Sequence, residues 1–323
     1  MSSIMSNAAS VVALSTLRNI ETTLDATHSR ISSGLRVSTA EEDAAYWSIA
    51  TTMRSDDKSL SAVEDALALG AATVDTAYAG MDYAVDVMSE IKSKLLMARE
   101  PGVDRQKIDK ELTQLKKQLS SIGESASFSG QNWLQVGDDS KQTASIVASF
   151  SRGADGSVTV ETLDYDLWPA AVGPRALIDA STSGTTGARG ILTSTEFAIA
   201  AGAGQNYAII VNQSNASTAT EIKLTSTTTD TEVEDMLKTV DAMMERMIDA
   251  TADLGAISAR VGLQSEFVID LRDTLTRGVG LLVDADMNEE SMRLKALETQ
   301  RKLAIYTLPI ANDNARNILS LFQ

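Results

Sequence analysis

Residues 53–95 read MRSDDKSLSAVEDALALGAATVDTAYAGMDYAVDVMSEIKSKL. Met53, Leu60, Leu67, Val74, Met81, Met88 and Leu95 recur every seven residues. Val63, Gly70, Ala77, Ala84, Ile91 and Ala98 follow their heptad partners by three. On an α-helix both sets fall on one face, the a/d stripe of a coiled-coil seam. The stripe predicts a helix from about residue 43 to 99, about 85 Å long at the usual rise per residue. A helix of that length needs a long partner to cover its stripe.

The partner is read near the other end of the chain. From Thr231 the apolar positions are Leu237, Val240, Met244, Met247, Leu254, Val261, Val268, Leu275, Val279 and Leu282. Polar residues at Thr251, Ser258, Ser265 and Arg272 make this the weaker seam. Thr39 with Glu42, and Thr231 with Glu234, read as capping boxes opening the two helices. Pro101-Gly102 ends the first, and Asp104 can cap a shorter helix carrying Ile108, Leu112, Leu115, Leu119 and Ile122.

Both ends carry further stripes. Ile4, Val11 and, after a one-residue slip, Leu17, Leu24 and Ile31 form the first. Leu294, Leu297, Arg301, Ala304, Leu308, Ala311, Ala315, Ile318 and Phe322 form the second, with Pro309 inside it as an expected kink. Asp286 with Glu289 reads as the cap that opens this last helix. Stripes placed symmetrically at both ends predict antiparallel pairing of the N- and C-terminal halves into a long bundle. The middle, about 136–229, is rich in Ser, Thr and Gly. Alternation at Ser145–Phe150 and Ser157–Leu163 around Gly153-Ala154-Asp155-Gly156 predicts a hairpin. Glu196–Ile199, Tyr207–Asn212 and Glu221–Thr225 are further strand candidates, and Ser181–Gly190 reads as an exposed loop. The expected fold is therefore mainly α, a long antiparallel helical bundle with an inserted β-rich domain at its tip. Its expected parts are 1–42, 43–135, 136–229, 230–283 and 284–323.

Composition excludes several kinds of chemistry. The 323 residues hold no Cys and one His, so no thiolate zinc site, thiol nucleophile or two-His metal site can form in one chain. A net charge of −16 argues against nucleic acid and against anionic membrane surfaces. No apolar run is long enough to insert into a bilayer, and no cleaved leader is visible. Gly184, Gly187 and Gly190 lack the phosphate-loop fingerprint. Asp284, Asp286, Glu289 and Glu290 lack the ligand order of a calcium loop. His28 sits among Thr27, Ser29 and Arg30 without a triad partner. The expectation is a protein with no catalytic centre, cofactor or metal. Marginal terminal helices that need neighbours to cover them suit a self-assembling subunit, since a repeated head-to-tail contact builds an open helical polymer.

Specific motifs then carry a resemblance. Ser29–Ala45, SRISSGLRVSTAEEDAA, resembles the N-terminal signature of bacterial flagellin, through Arg30, Gly34, Leu35, Arg36, Asp43, Ala44 and Ala45. Ser125–Leu134 with Asn132, Leu254–Gln264 with Arg260, Leu282–Asp286 with Asp284 and Asp286, and Asn317–Phe322 are similar to further flagellin motifs. The likeness spans roughly 1–135 and 230–323. It implies a filament subunit exported unfolded through the flagellar type III channel without a cleaved signal peptide, which makes it extracellular. It implies self-association, possible co-assembly with other flagellins, and transient partners: an export chaperone, the export apparatus, the filament cap and the hook-associated proteins. The terminal stripes would line an inner tube, the long helices an outer one, and 136–229 would face outward. The hook–filament junction protein is the alternative. It typically has prolines near the Asp-Asp motif, where this chain has Ala40 and Ala44. Tyr46-Trp47 replaces residues that are usually small. Arg99 and Glu100 align with the region read by the animal flagellin-sensing receptor, but Pro101 follows where Leu is usual. Glu41-Glu42 alters the stretch sensed by plants. Weak recognition by both receptors is therefore expected.

Overall fold

The computed structural model describes residues 7–138, 141–153, 155–182 and 187–320, with side chains described as far as 313. Among the described residues the helices are α1 (Ala8–Ser33), α2 (Ala44–Met97), α3 (Arg105–Ser125), α4 (Glu196–Ala200), α5 (Asp230–Val283) and α6 (Met287–Ser320). The strands are β1 (Ser127–Phe128), β2 (Gln131–Asn132), β3 (Gln135–Val136), β4 (Thr143–Arg152), β5 (Val158–Asp166), β6 (Ile178–Asp179), β7 (Tyr207–Ala208) and β8 (Thr220–Glu221). Ile4 and Phe322 lie outside the described residues, as does Gly184. The side chains of Ala315 and Ile318 lie outside them too.

The chain forms two compact units. One holds residues 1–58 and 271–323, the other 59–270. The second is built on the heptad stripe. Leu60, Val63, Leu67, Val74, Ala77, Met81, Ala84, Met88, Ile91, Leu95 and Ala98 are all buried. Small residues recur in this seam, so helices can approach closely without large side chains. Ser258 donates to Asp75 at 2.8 Å, Lys92 pairs with Asp241, and Arg99 pairs with Glu234 at 3.6 Å. As one partner number rises the other falls, so α2 and α5 run antiparallel here. The α5 seam differs from the expected one. Its buried column is Val233, Met236, Val240, Met243, Met247, Ala250, Leu254, Val261 and Val268, while Leu237 and Met244 sit half-buried beside it. Methionine or leucine stands in both columns of this helix, so periodicity alone could not choose between them.

Helix starts follow local hydrogen bonding. Asp104 caps α3 by accepting from the Gln106 amide at 3.1 Å. The box opening α5 is Thr229 with Glu232, two residues before the expected Thr231–Glu234. The Glu232 carboxylate accepts from the Thr229 amide at 2.7 Å, and the Thr229 hydroxyl accepts from the Glu232 amide at 3.3 Å. Both pairs satisfy the Thr-x-x-Glu spacing, and only the first places the donors at the helix mouth.

The middle segment shares the second unit with the helices. β4 and β5 form an antiparallel hairpin with a bulge between Val147 and Ser149. A Cβ on Gly70 of α2 would meet Ile146 Cγ2 at 2.3 Å, so the hairpin packs directly on that helix. Trp133 stacks on Tyr165 at 5.5 Å. Arg175 pairs with Asp253 at 2.9 Å, and buried Arg246 donates to the carbonyls of Pro174 and Gly173. Glu196–Ile199 is a helix rather than a strand, because the Ala201 amide closes onto Phe197 O at 2.9 Å. In Tyr207–Asn212 only β7 pairs, in parallel with β8.

The expected exposed loop 181–190 is turned inward at its described ends, where Ser181, Gly187 and Gly190 are buried. Asp179 is the cause. Its carboxylate accepts from the Ser181 amide at 3.0 Å and from Arg189 Nη2 at 3.2 Å. Satisfying this buried charge draws the flanking chain over it. At Gly190 a Cβ would lie 2.2 Å from the Asp179 nitrogen and 2.5 Å from the Ile178 carbonyl carbon. Both are backbone atoms that cannot swing away. Gly190→Ala is expected to destabilise the 59–270 unit by about 3 kcal/mol, read as a lower thermal or denaturant midpoint. An unchanged midpoint would refute this packing.

Candidate assembly surface

The terminal unit pairs α1 with α6. Asn7 Nδ2 donates to Ala311 O at 2.8 Å, Ser10 Oγ to Asn312 Oδ1 at 2.7 Å, and Arg301 faces Glu21 at 3.7 Å. Arg30 faces Glu290 at 3.5 Å. From Asn7 and Ser10 at one end, through Glu21, to Arg30 at the other, the partners fall from 311–312 to 301 to 290, so α1 and α6 run antiparallel. On α1 the covered face is Ser10, Ala13, Leu17, Ile20, Leu24, Thr27 and Ile31, without a slip. Val11 is therefore off this seam and 62% exposed, beside Val12 at 64%. Asn7 and Ser10 take its place, because their hydrogen bonds cross to α6. On α6, Leu297 and Ala304 are buried, and Leu294, Leu308 and Ala311 are half-covered. The assigned helix runs on through Pro309. Leu303, Ile305, Tyr306 and Ile310 point outward at 48–72% exposure. A two-helix contact this thin cannot cover its own apolar side chains.

A tight connection joins this pair to the start of α2. Gly34 closes α1 with φ 72°, and its amide donates to Arg30 O at 2.8 Å. A side chain there would be strained, hence glycine. Leu35 bridges Asp284, the Arg36 amide donates to Val283 O at 2.6 Å, and the Ala285 amide donates to Gly34 O at 2.9 Å. Val37, Ala50, Val279 and Val283 form the small core beneath, with Leu35, Met53 and Leu282 against it. Leu275 is half-buried farther along α5. Asp43, not Thr39, caps α2: its carboxylate accepts from Ala45 and Tyr46 amides at 3.0 and 3.1 Å. Glu42 instead accepts from the Ser38 and Thr39 amides at 2.6 and 3.3 Å and holds the preceding turn. Asp286 opens α6 through the Asn288 amide at 2.8 Å.

The family-signature residues thus have local duties. Arg30 meets Glu290, Gly34 to Arg36 make the connection, and Asp43 caps α2 at the Ala45 and Tyr46 amides. Asn132 turns the chain after α3, accepting from Leu134 and donating to Gly123 O at 2.7 Å. Arg260, Arg99 and Glu100 are exposed on the other unit. Glu290, Arg293 and the unpartnered buried Arg30 Nε form a charged cluster that periodicity did not single out. In the sequence Glu290 was marked by the acidic first turn of α6 and Arg30 by the motif of Ser29–Ala45, but nothing joined the two.

Among the described residues no group of His, Cys, Asp and Glu is placed to hold a metal. No described helix is long and apolar enough to cross a membrane. What the described residues offer to a partner is helix faces, with Val11, Val12, Leu303, Tyr306 and Ile310 in solvent. Residues 4–137 match the bacterial flagellin N-terminal helical region, and residues 237–322 match the bacterial flagellin C-terminal helical region. The chain is 53% identical to flagellin C and 44% identical to flagellin A, both of Rhizobium meliloti. It is 34% identical to a flagellin of Brucella melitensis. In each comparison both chains are covered in full. The chain belongs to the bacterial flagellin family. It is a structural subunit of the extracellular flagellar filament, the polymer that serves motility, and not an enzyme. Homopolymers or mixed polymers with sister flagellins fit the several flagellins of its relatives.

Hydrogen bonds from the Ser38 backbone, chiefly, hold the Glu42 carboxyl below its ordinary value of 4.5. A depressed folded-state pKa stabilises above the ordinary value and is lost as pH falls through the folded value. The turn at 38–42 should therefore loosen only in acid below 4.5. Glu42→Gln should flatten this acid step, and without the carboxylate its turn at neutral pH should be held no better than the wild-type turn is in acid. Amide exchange at Ser38 and Thr39 across the acid range reads it, and an unchanged acid step in the variant rules it out.

Proposed function

We propose that α1 and α6 are the elements through which subunits join. The stripe of Val11, Leu17, Leu24, Ile31, Leu294, Leu297, Ala304, Leu308 and Ala311, extended by Ile4, Ala315, Ile318 and Phe322, would line the inside of the filament. One observation supports this most. The terminal pair leaves Val11, Val12, Leu303, Tyr306 and Ile310 in solvent, at a cost that a neighbour's helices would remove. The α2–α5 seam would form the surrounding layer, and 136–229 the outer face.

The finer reading follows the family. The subunit leaves the cell unfolded through the flagellar type III channel, escorted by a chaperone and without a cleaved leader. It adds at the distal end beneath a cap, beyond the hook-associated proteins. A chain with no Cys forms no disulfide that would block an unfolded passage. Acidic repulsion helps keep free subunits apart.

Deleting residues 1–30 and 295–323 together is expected to abolish filament formation. The 59–270 unit should keep its helicity and its unfolding transition. Normal filaments from the doubly truncated chain would defeat the proposal.

A further inference from the structure

We propose that the β4–β5 hairpin of one subunit docks on an outward stripe of α5 in a second copy. The bulge between Val147 and Ser149 is what makes the hairpin suitable. Ile146 and Ala148 point into the protein and are buried. Without the bulge Phe150 would follow them inward. With it, Phe150 pairs with Val160 and joins Val158 on the opposite face. Val158 and Val160 are 52% and 55% exposed, and both edges of the ribbon lack a strand partner among the described residues. The inward face at this end is polar instead, with Ser149 opposite Glu161 and Ser151 opposite Thr159.

The complementary surface lies on the same unit. Arg260, Leu263, Phe267 and Asp270 are spaced 3-4-3 and share one helix face. That face is turned away from the buried Val261 and Val268, with Leu263 70% and Phe267 57% exposed.

Charge fixes the polarity of docking. The hairpin strip runs from Arg152, opposite Val158, to Asp164 on the same outward face. The helix stripe runs from Arg260 to Glu266 and Asp270. Laid with Arg152 towards the acidic end, each terminus meets its opposite sign and the apolar centres coincide. The strip spans about 20 Å along β5, and the stripe about 15 Å along the helix, with long end groups closing the difference. The occupant is a second copy because the chain is a filament subunit. Two different patches on one subunit also make the head-to-tail contact from which an open polymer is built.

The chain has no cysteine, so introduced thiols report without background. Filaments of the Val160→Cys/Phe267→Cys variant, treated with a short bis-maleimide, are expected to give a ladder of covalent multimers. Each single variant should stay monomeric. Dimers from Val160→Cys alone would mean hairpin meets hairpin and overturn the proposal, as would filaments of the double variant that give no ladder. Val158→Lys/Val160→Lys tests the same contact without crosslinking, and it decides if the thiol pair itself prevents assembly. Its monomer should keep wild-type helicity and thermal midpoint while its critical concentration for assembly rises about tenfold or more. An unchanged critical concentration overturns the docking. Assembly of the wild-type chain in parallel keeps a failure of this contact distinct from a failure of filament formation.

Discussion

Antiparallel closure of the chain's two halves is the constraint on which the rest depends. In the 59–270 unit, α2 offers a continuous stripe of Leu, Met, Val and Ala, and α5 covers it from the opposite direction through 75–258 and 92–241. Every other element of that unit is hung on this pair. α3 is tied by Arg105 to Thr228 and Asp230, and by Lys116 to Glu221. The hairpin sits on Gly70 of α2, and the 165–175 segment grips Arg246 and Asp253 of α5. The terminal unit repeats the principle with less material. There two helices, a four-residue core and the Gly34–Ala285 connection do the holding.

The division of labour explains the lack of reactive chemistry. A filament subunit needs faces, not centres. Buried charges here are structural: Asp179 with Arg189 folds a loop, and Glu290 with Arg30 and Arg293 fixes where α6 meets α1. Removing one member of such a pair would leave a buried charge uncompensated, which costs more than the pair contributes. Tyr165 illustrates the same point. Burial raises its hydroxyl far above the ordinary range, so it acts as a neutral ring between Trp133 and Arg175.

Much of this was legible in the residues, and the exceptions have physical reasons. The α2 stripe was readable because its a/d columns are apolar and the neighbouring columns mostly polar. In the α5 seam Val240, Met247, Leu254, Val261 and Val268 are buried where periodicity puts them, and only two positions shift by one, since Met236 and Met243 compete with Leu237 and Met244. The α1 seam hides at its start because Asn7 and Ser10 hold it through hydrogen bonds. The middle segment resisted reading most. It is secured by single polar residues such as Asp179, Asn212 and Asn215, whose partners lie in loops without period. Gly190 carried a signal only in hindsight, as a site where backbone meets backbone.

On the assembly proposed above, the terminal helix pair is incomplete until other copies cover it. Amide hydrogen exchange compares the two states directly. In the free subunit, residues 8–33 and 287–320 should exchange far faster than the α2–α5 seam of the 59–270 unit, and in the assembled filament they should become as protected as that seam. Equal protection of the terminal helices before and after assembly would contradict it.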